Sequence, residues 1–331
     1  VISSLRDYQE RGVSDIRAAY CAGARSVLYV LPTGGGKTVV FSYVAKSAAQ
    51  RGRRSCILTH RDTLLSQASA ALTDCGVPHG IIAPGHTPTR DLVQVASINT
   101  LARRLERHEF DFLIPDEAHH ATSPTWSRVL AAYPEAHVLG VTATPARADG
   151  RGLAEIFEAM VLGPSIAELI ERGYLVRPVV YGSKKKLDLS RVQTRAGDYD
   201  RKQLAEAMDS STITGDAVSE YSRLCPGEAA VVFCVSIRHA EDVAAEFAAA
   251  GYRAEVVHGK MPLQEIRRKV DGLRDGSVQL IVSVDLVSEG FDCPAIRAAI
   301  LLRPTQSEGL YIQQVGRAMR PFPGKDRAVI I

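Results

Sequence analysis

Short apolar runs alternate with helix-length stretches through the first half of the chain. Ser26–Leu31, Cys56–Thr59, Leu92–Ala96, Phe112–Ile114 and Val138–Val141 are mostly apolar, which predicts short strands buried on both faces. Between them Val39–Gln50 and Thr63–Asp74 have helical length, the former stopped by Gly52. The second half repeats the design. Strands are expected at Ala230–Val235, Ala254–Val257, Leu280–Val284, Ala298–Leu302 and Ala328–Ile331, with helices at Ala240–Ala250, Leu263–Leu273 and Gly309–Met319. Such alternation predicts an α/β chain of two tandem domains, each a mainly parallel sheet flanked by helices. The stretch 183–200 is polar and lacks a long apolar period, so the domains are predicted at 1–182 and 198–331, joined by a linker at 183–197. The chain begins without Met and stops inside an expected strand, which predicts a trimmed segment of a longer protein.

Composition narrows this picture only a little. A length of 331 residues fits about two domains, and 46% hydrophobic with 23% charged residues is ordinary for a globular chain. A net charge of +3 is too small to demand a polyanionic partner. Basic residues cluster at Arg51/Arg53/Arg54, Arg103/Arg104, Lys184–Lys186 and Arg267–Lys269, and such clusters are usually solvated surface. The six cysteines include no C-x-x-C pair, so reduced, mostly buried thiols are expected, with neither a zinc site nor a disulfide framework. No apolar run approaches the roughly 18 residues of a membrane span, and the first ten residues lack a signal-peptide core. No membrane association and a cytoplasmic location are therefore expected.

The candidate chemistry lies at strand ends. Residues 31–38 read L-P-T-G-G-G-K-T, directly between an apolar run and a helical pattern. Gly34, Gly35 and Gly36 leave backbone N–H groups open to a polyphosphate, with Thr33 in the same turn. Lys37 supplies a point charge for the β- and γ-phosphates, and the Thr38 hydroxyl a ligand for Mg2+. The helix that follows points its positive end at the anion. The usual pattern opens with Gly where this chain has Leu31, and the plain alternative is a glycine-rich turn. Phe112–His119 reads F-L-I-P-D-E-A-H, an apolar strand ending in two carboxylates. Asp116 is expected to hold Mg2+ through water, and Glu117 to orient or deprotonate an attacking water. Pro115 is unusual there, because it removes a ladder donor from a strand that should be central. Near the C-terminus, Tyr311–Arg320 reads Y-I-Q-Q-V-G-R-A-M-R. On a helix Gln313, Arg317 and Arg320 would share one face. Their guanidiniums could then serve as arginine fingers for a γ-phosphate.

Taken in order, these segments resemble the motifs of a superfamily 2 helicase or translocase core of the DEAH-box type. The resemblance covers nearly the whole chain and implies two tandem RecA-like domains, with ATP bound between them. L-R-D-Y-Q (Leu5–Gln9) is similar to the adenine-reading motif and implies Arg6 and Gln9 as ATP contacts. L-T-H-R-D-T-L-L-S-Q (Leu58–Gln67) and S-I-N-T-L (Ser97–Leu101) resemble strand-gripping motifs, implying Thr59, His60, Arg61, Ser97, Asn99 and Thr100 as nucleic-acid contacts. D-E-A-H adds His119 to the catalytic set, and T-A-T-P (Thr142–Pro145) implies Thr142 and Thr144 as coupling residues. V-V-F-C-V-S-I-R-H-A (Val231–Ala240) implies Ser236 and Arg238 as strand contacts. I-V-S-V-D-L-V-S-E-G-F-D-C-P (Ile281–Pro294) implies Ser283 on the strand, with Gly290 and Asp292 on the nucleotide.

Within the superfamily, E-R-G-Y-L-V-R-P (Glu171–Pro178) and Leu301–Arg317 are most similar to RadD-like bacterial DNA-repair ATPases and related phage helicases. The implied activity is a nucleic-acid-stimulated, Mg2+-dependent ATPase, a monomer acting on single-stranded or branched DNA in repair or replication. An RNA helicase and a double-strand translocase without unwinding are the alternatives. The contacts are mostly hydroxyl, amide or basic groups, and only 6% of the chain is aromatic, so weak sequence preference is expected. A metabolic kinase would need a second substrate pocket in place of the second sheet domain. A module that binds ATP only to set its shape would lack Glu117.

Overall fold

A computed structural model describes residues 5–144, 153–182, 188–195, 197–208, 211–284 and 293–331. The chain divides into two compact units, Val1–Ser165 and Ile166–Ile331.

The first unit holds helices α1 (Asp7–Cys21), α2 (Lys37–Ala49), α3 (Asp62–Asp74), α4 (Ile98–Leu101) and α5 (Pro124–Ala131). Its strands are β1 (Ser26–Val30), β2 (Ser55–Thr59), β3 (His79–Ile82), β4 (Val93–Ser97), β5 (Phe112–Pro115), β6 (His137–Thr142) and β7 (Ala159–Leu162). They form one sheet in the order β3-β4-β2-β5-β6-β1-β7, and every pairing in it is parallel. β1 and β2 are buried along their whole length, as their unbroken apolar runs require. One core cluster joins Cys56, Leu58 and Leu113 to Trp126 and Val129 of α5; another joins Leu28 and Val30 to Leu153 and Phe157.

The second unit contains α6 (Ile166–Glu171), β8 (Arg177–Val180), β9 (Thr194–Arg195), β10 (Asp198–Tyr199), α7 (Arg201–Met208), α8 (Ser211–Leu224), β11 (Ala230–Phe233) and α9 (Ile237–Ala249). It continues with β12 (Ala254–His258), α10 (Leu263–Asp275), β13 (Leu280–Val284), β14 (Ala298–Leu301), α11 (Glu308–Ala318) and β15 (Arg327–Ile330). Its main sheet runs β12-β13-β11-β14-β15-β8, again parallel throughout. β9 and β10 form a separate antiparallel pair.

The expected boundary between domains differs from the observed one. Arg177–Val180 was expected in the first domain, yet it pairs with β15 at the edge of the second sheet. Pro178 fits only such an edge, where no donor is needed on its open side. The expected linker is also part of the second unit, because Leu189 and Val192 pack on its core. The apolar surface of that segment is too sparse to show a period, but it is enough to dock. Residues 183–187 and 196 of this stretch lie outside the described residues.

Of the six cysteines, Cys56, Cys225, Cys234 and Cys293 are buried, and all six are free. Burial pushes the Cys225 thiol up to about 12, which disfavours the reactive thiolate. Among the described residues no helix is long and apolar enough to cross a membrane, and no cluster of three potential metal-binding side chains occurs.

Candidate nucleotide site

Because the first sheet is wholly parallel, the carboxyl ends of its strands lie along one edge, where α/β sheets gather their chemistry. The phosphate loop follows β1, D-E-A-H follows β5, and Thr142 ends β6, which lies between them. Gly34 and Gly36 take positive φ, 85° and 86°. A Cβ on Gly36 would collide with Gln9 Nε2, and one on Gly35 would sit 2.8 Å from Leu31 Cγ. Side chains at these positions would thus strike Leu31 and Gln9, so the close packing of the loop requires glycine there. Leu31 itself is fully buried and extends the strand, its N–H donating to the Thr142 carbonyl at 2.9 Å. That explains why the departure from Gly is tolerated: the residue belongs to the core rather than the turn.

The first turn of α1, which carries the expected contact Gln9, meets this loop. Tyr8 Oη donates to the Gly35 carbonyl at 2.7 Å, and Gln9 Nε2 approaches the same oxygen at 3.2 Å. Gln9 Oε1 accepts from Arg6 N at 2.9 Å, starting α1, while Arg6 Nη1 reaches Tyr8 Oη at 3.0 Å. Tyr8 was missed by the sequence reading, although it stands next to Gln9 in the same motif. Its phenol ties the loop to α1.

Asp116 and Glu117 are both buried. The β5–β6 ladder stops at Leu113 and Val138, and resumes only as a single bridge between Asp116 and Val141. Pro115, with no N–H, sits in that gap, so the ladder breaks where the carboxylates begin. Asp116 N instead donates to the Leu58 carbonyl at 3.0 Å. Glu117 adopts φ 52° and ψ 54°, the one described non-glycine residue with positive φ. Such strain is retained where the surroundings enforce it, and functional sites are where it collects. Glu117 N donates to Asp116 Oδ1 at 3.0 Å. Burial first, then the Glu117 charge, push the Asp116 carboxyl up to about 7, while Lys37 pulls the other way. Lys37 Nζ rests 3.5 Å from the Leu31 carbonyl. Glu117 Oε2 is buried without a hydrogen bond, 3.4 Å from His119 Nδ1. His119 Nδ1 also lies 3.3 Å from Thr142 Oγ1, which donates to the Thr144 carbonyl at 2.9 Å. D-E-A-H and T-A-T are therefore joined through one imidazole; Pro145 lies outside the described residues.

These donors suit a magnesium–triphosphate group. Gly34 and Gly36 hold the loop at positive φ, Lys37 carries positive charge toward Asp116, and Glu117 keeps a buried acceptor with no hydrogen bond.

In the second unit α11 starts with Ser307 Oγ accepting from Leu310 N, and Gln313 and Arg317 are buried along it. Residues 313–319 are all buried. Arg320 departs from the expected helical spacing. The helix ends at Ala318 with Met319 as its cap, so Arg320 lies in the turn beyond. Pro321 disfavours helical geometry for the residue before it, and the Met319 carbonyl is taken by Val176 N at 2.8 Å.

The expected nucleic-acid contacts divide by exposure. Asn99 and Arg238 are exposed, and His60, Arg61, Ser97, Thr100 and Ser236 are partly so. Thr59 is fully buried, its hydroxyl directed at the Ala96 carbonyl, and Ser283 is buried on β13. Those two side chains are held inside the sheets, because each lies within a central strand rather than past its tip. Ser236 Oγ caps α9 by accepting from His239 N at 3.1 Å. The ring of His60 contacts that of His120 edge to face, centroids 4.4 Å apart, and His120 lies 4.2 Å from His119. Gly290 and Asp292 lie outside the described residues.

With this geometry in hand, comparison with known proteins is informative. Residues 2–147 match the family "Type III restriction enzyme, res subunit", and residues 216–321 match "Helicase conserved C-terminal domain". A "51.5 kDa protein" of a Lactococcus phage (isolate 7-9) is 33% identical over 91% of this chain, which spans 64% of that protein's length. The "DNA 3'-5' translocase XPB2" of Sulfurisphaera tokodaii is 25% identical over 99% of this chain and 80% of its own. Among solved structures, the "ATP-dependent Type ISP restriction-modification enzyme LlaBIII bound to DNA" superposes with a TM-score of 0.72 at 19% identity, covering 99% of this chain and 27% of that one. The fold is that of tandem RecA-like helicase domains, and the two family matches support a superfamily 2 helicase core.

Proposed function

We propose that this chain is the motor core of a nucleic-acid-stimulated ATPase of the DEAH-box type, a RadD-like helicase or translocase that acts on DNA in repair or replication. The observation that carries the reading is the pairing of a glycine loop at positive φ with a buried Asp–Glu pair, Glu117 strained, both just past strand ends on one side of a single parallel sheet. The DNA assignment is supported by two similar proteins, a DNA 3'-5' translocase and a restriction-modification enzyme bound to DNA. ATP phosphates bind Gly34–Thr38, and Lys37 neutralises their charge. Thr38 and Asp116 would hold Mg2+, which would offset the charge of the β- and γ-oxygens. Glu117 takes the proton of the attacking water as the bond to the γ-phosphate breaks, and His119 holds the carboxylate in place. Arg317 and Arg320, with Gln313, meet the developing charge when the second domain closes on the first. Gly290 and Asp292 complete the nucleotide contacts. Thr142 and Thr144 transmit the change to the strand-gripping groups His60, Arg61, Ser97, Asn99, Thr100, Ser236 and Arg238.

ATP turnover measured side by side with single-stranded DNA, duplex DNA, branched DNA and RNA tests this reading. Stimulation by single-stranded or branched DNA is expected, with turnover abolished in Lys37→Ala mainly through lost nucleotide binding. Stimulation by RNA alone would make the chain an RNA helicase, and stimulation by duplex alone a double-strand translocase. Turnover indifferent to every nucleic acid would overturn the motor reading.

A further inference from the structure

Lys325 carries its charge into the interior of the second unit. It is 7% exposed, and among the described residues no carboxylate pairs with it. Its ammonium donates instead to three backbone carbonyls: Ile296 at 2.6 Å, Arg320 at 2.7 Å and Pro294 at 3.4 Å. Three ammonium protons thus meet three acceptors, which a shorter or neutral side chain could not supply. The acceptors come from two places of proposed chemical importance. Pro294 closes the Ile281–Pro294 segment and Ile296 follows it toward β14, whereas Arg320 ends the arginine segment after α11. Burying an ion costs free energy, and this one is further disfavoured by its neighbours. Burial first, then Arg297, then Arg320 bring its pKa down to about 7.

The same turn is held from its outer side. Arg297 Nη1 donates to the Gly324 carbonyl at 2.7 Å and Nη2 to Pro323 at 3.2 Å, while Arg297 Nε pairs with Glu228 at 2.9 Å. Packing alone would not call for a charge beneath such a turn, since an aliphatic side chain fills the same space at lower cost. What the ammonium adds is direction: without it three carbonyl dipoles converge on one point and repel.

We propose that Lys325 is a positioning residue for ATP hydrolysis, whose buried ammonium ties the backbone of Arg320 to the loop leading into β14 and so fixes where the Arg320 guanidinium is presented. This rests on the reading that Arg320 serves the γ-phosphate. Lys325 touches no substrate and acts only through Arg320 and the segment before β14.

The test is a double-mutant cycle in the full chain, with Lys325→Met, Arg320→Ala and the two combined, read as kcat and KM for ATP with the stimulating nucleic acid. Lys325→Met should lower kcat on the order of ten-fold, within the coupling usual for groups in contact, and leave KM within about two-fold. In the Arg320→Ala background the same change should cost less than about two-fold more. Equal losses in both backgrounds overturn the proposal. A wild-type chain without ATP turnover sinks the functional reading instead, and amide hydrogen exchange then tests the clamp by itself. Exchange in Lys325→Met should quicken only around residues 316–325. Unchanged exchange there, or loosening throughout 166–331, overturns the clamp.

Discussion

The two units present their chemistry in opposite ways. In the first, functional side chains stand on turns just past the ends of parallel strands. Each turn is specified by its own residues: glycines at positive φ for the phosphate loop, Pro115 and a strained Glu117 for the carboxylates. In the second, the arginines sit at the end of a buried helix whose final turn is shaped by groups outside it, the distant Val176 and the nearby Lys325 among them. A strand tip in a parallel sheet is aimed by the sheet, so a short motif suffices to make it useful. A helix terminus is aimed by whatever satisfies its last carbonyls, and those partners can come from anywhere in the chain.

The comparison can be broken most directly at Arg317. If it stabilises the γ-phosphate in the proposed closed state, Arg317→Ala should reduce kcat by on the order of 10³-fold or more with a small change in ATP affinity. Lysine should restore only part of this, since a point charge does not reproduce a planar two-pronged donor. Wild-type kcat in Arg317→Ala, measured by steady-state ATPase assay, would remove the second unit from the reaction.

Glu117 probes the first unit. Glu117→Gln should preserve ATP binding, measured by equilibrium titration, and lower turnover by roughly 10²- to 10⁴-fold, the range for removing a general base. Retained turnover would refute its role. The positive φ at Glu117 would then be strain with no chemical purpose.

The smallest effect sharpens the contrast in cost. The Asp116 carboxyl is raised to about 7 in the folded chain, whereas the unfolded chain loses that proton near pH ~4. Between those values the folded state binds more protons, so this group's contribution lowers stability as pH rises from about 4 to about 7, and the penalty is complete above 7. Asp116→Asn removes the penalty. The nucleotide-free protein should therefore melt higher at pH ~8, on the order of a few degrees, and the gain should fade toward pH ~4. A melting temperature that falls at pH ~8 would show that the carboxylate is stabilised in the fold.

Much of this was legible in advance, and unevenly so. The central strands announce themselves because burial on both faces demands unbroken apolar runs, and observed β13 coincides with its expected span, Leu280–Val284. Ala159–Leu162 was not anticipated although it is as apolar as the central strands; it forms an edge strand that leaves Met160 and Leu162 exposed. α1 was also unexpected: its core face is only Tyr8, Val13 and Ile16 amid polar residues, with Gln9 buried to serve the loop.

The sequence by itself determined the strand–helix alternation, the phosphate loop and the D-E-A-H carboxylates. Each is encoded by residues adjacent in the chain and acts over a few ångströms of local backbone. The tertiary structure alone decided where the units divide, that Thr59 and Ser283 are held inside, and that Val176 takes the Met319 carbonyl beyond α11. Those outcomes depend on which donor or apolar surface arrives from far along the chain, and neither local propensity nor spacing carries that information.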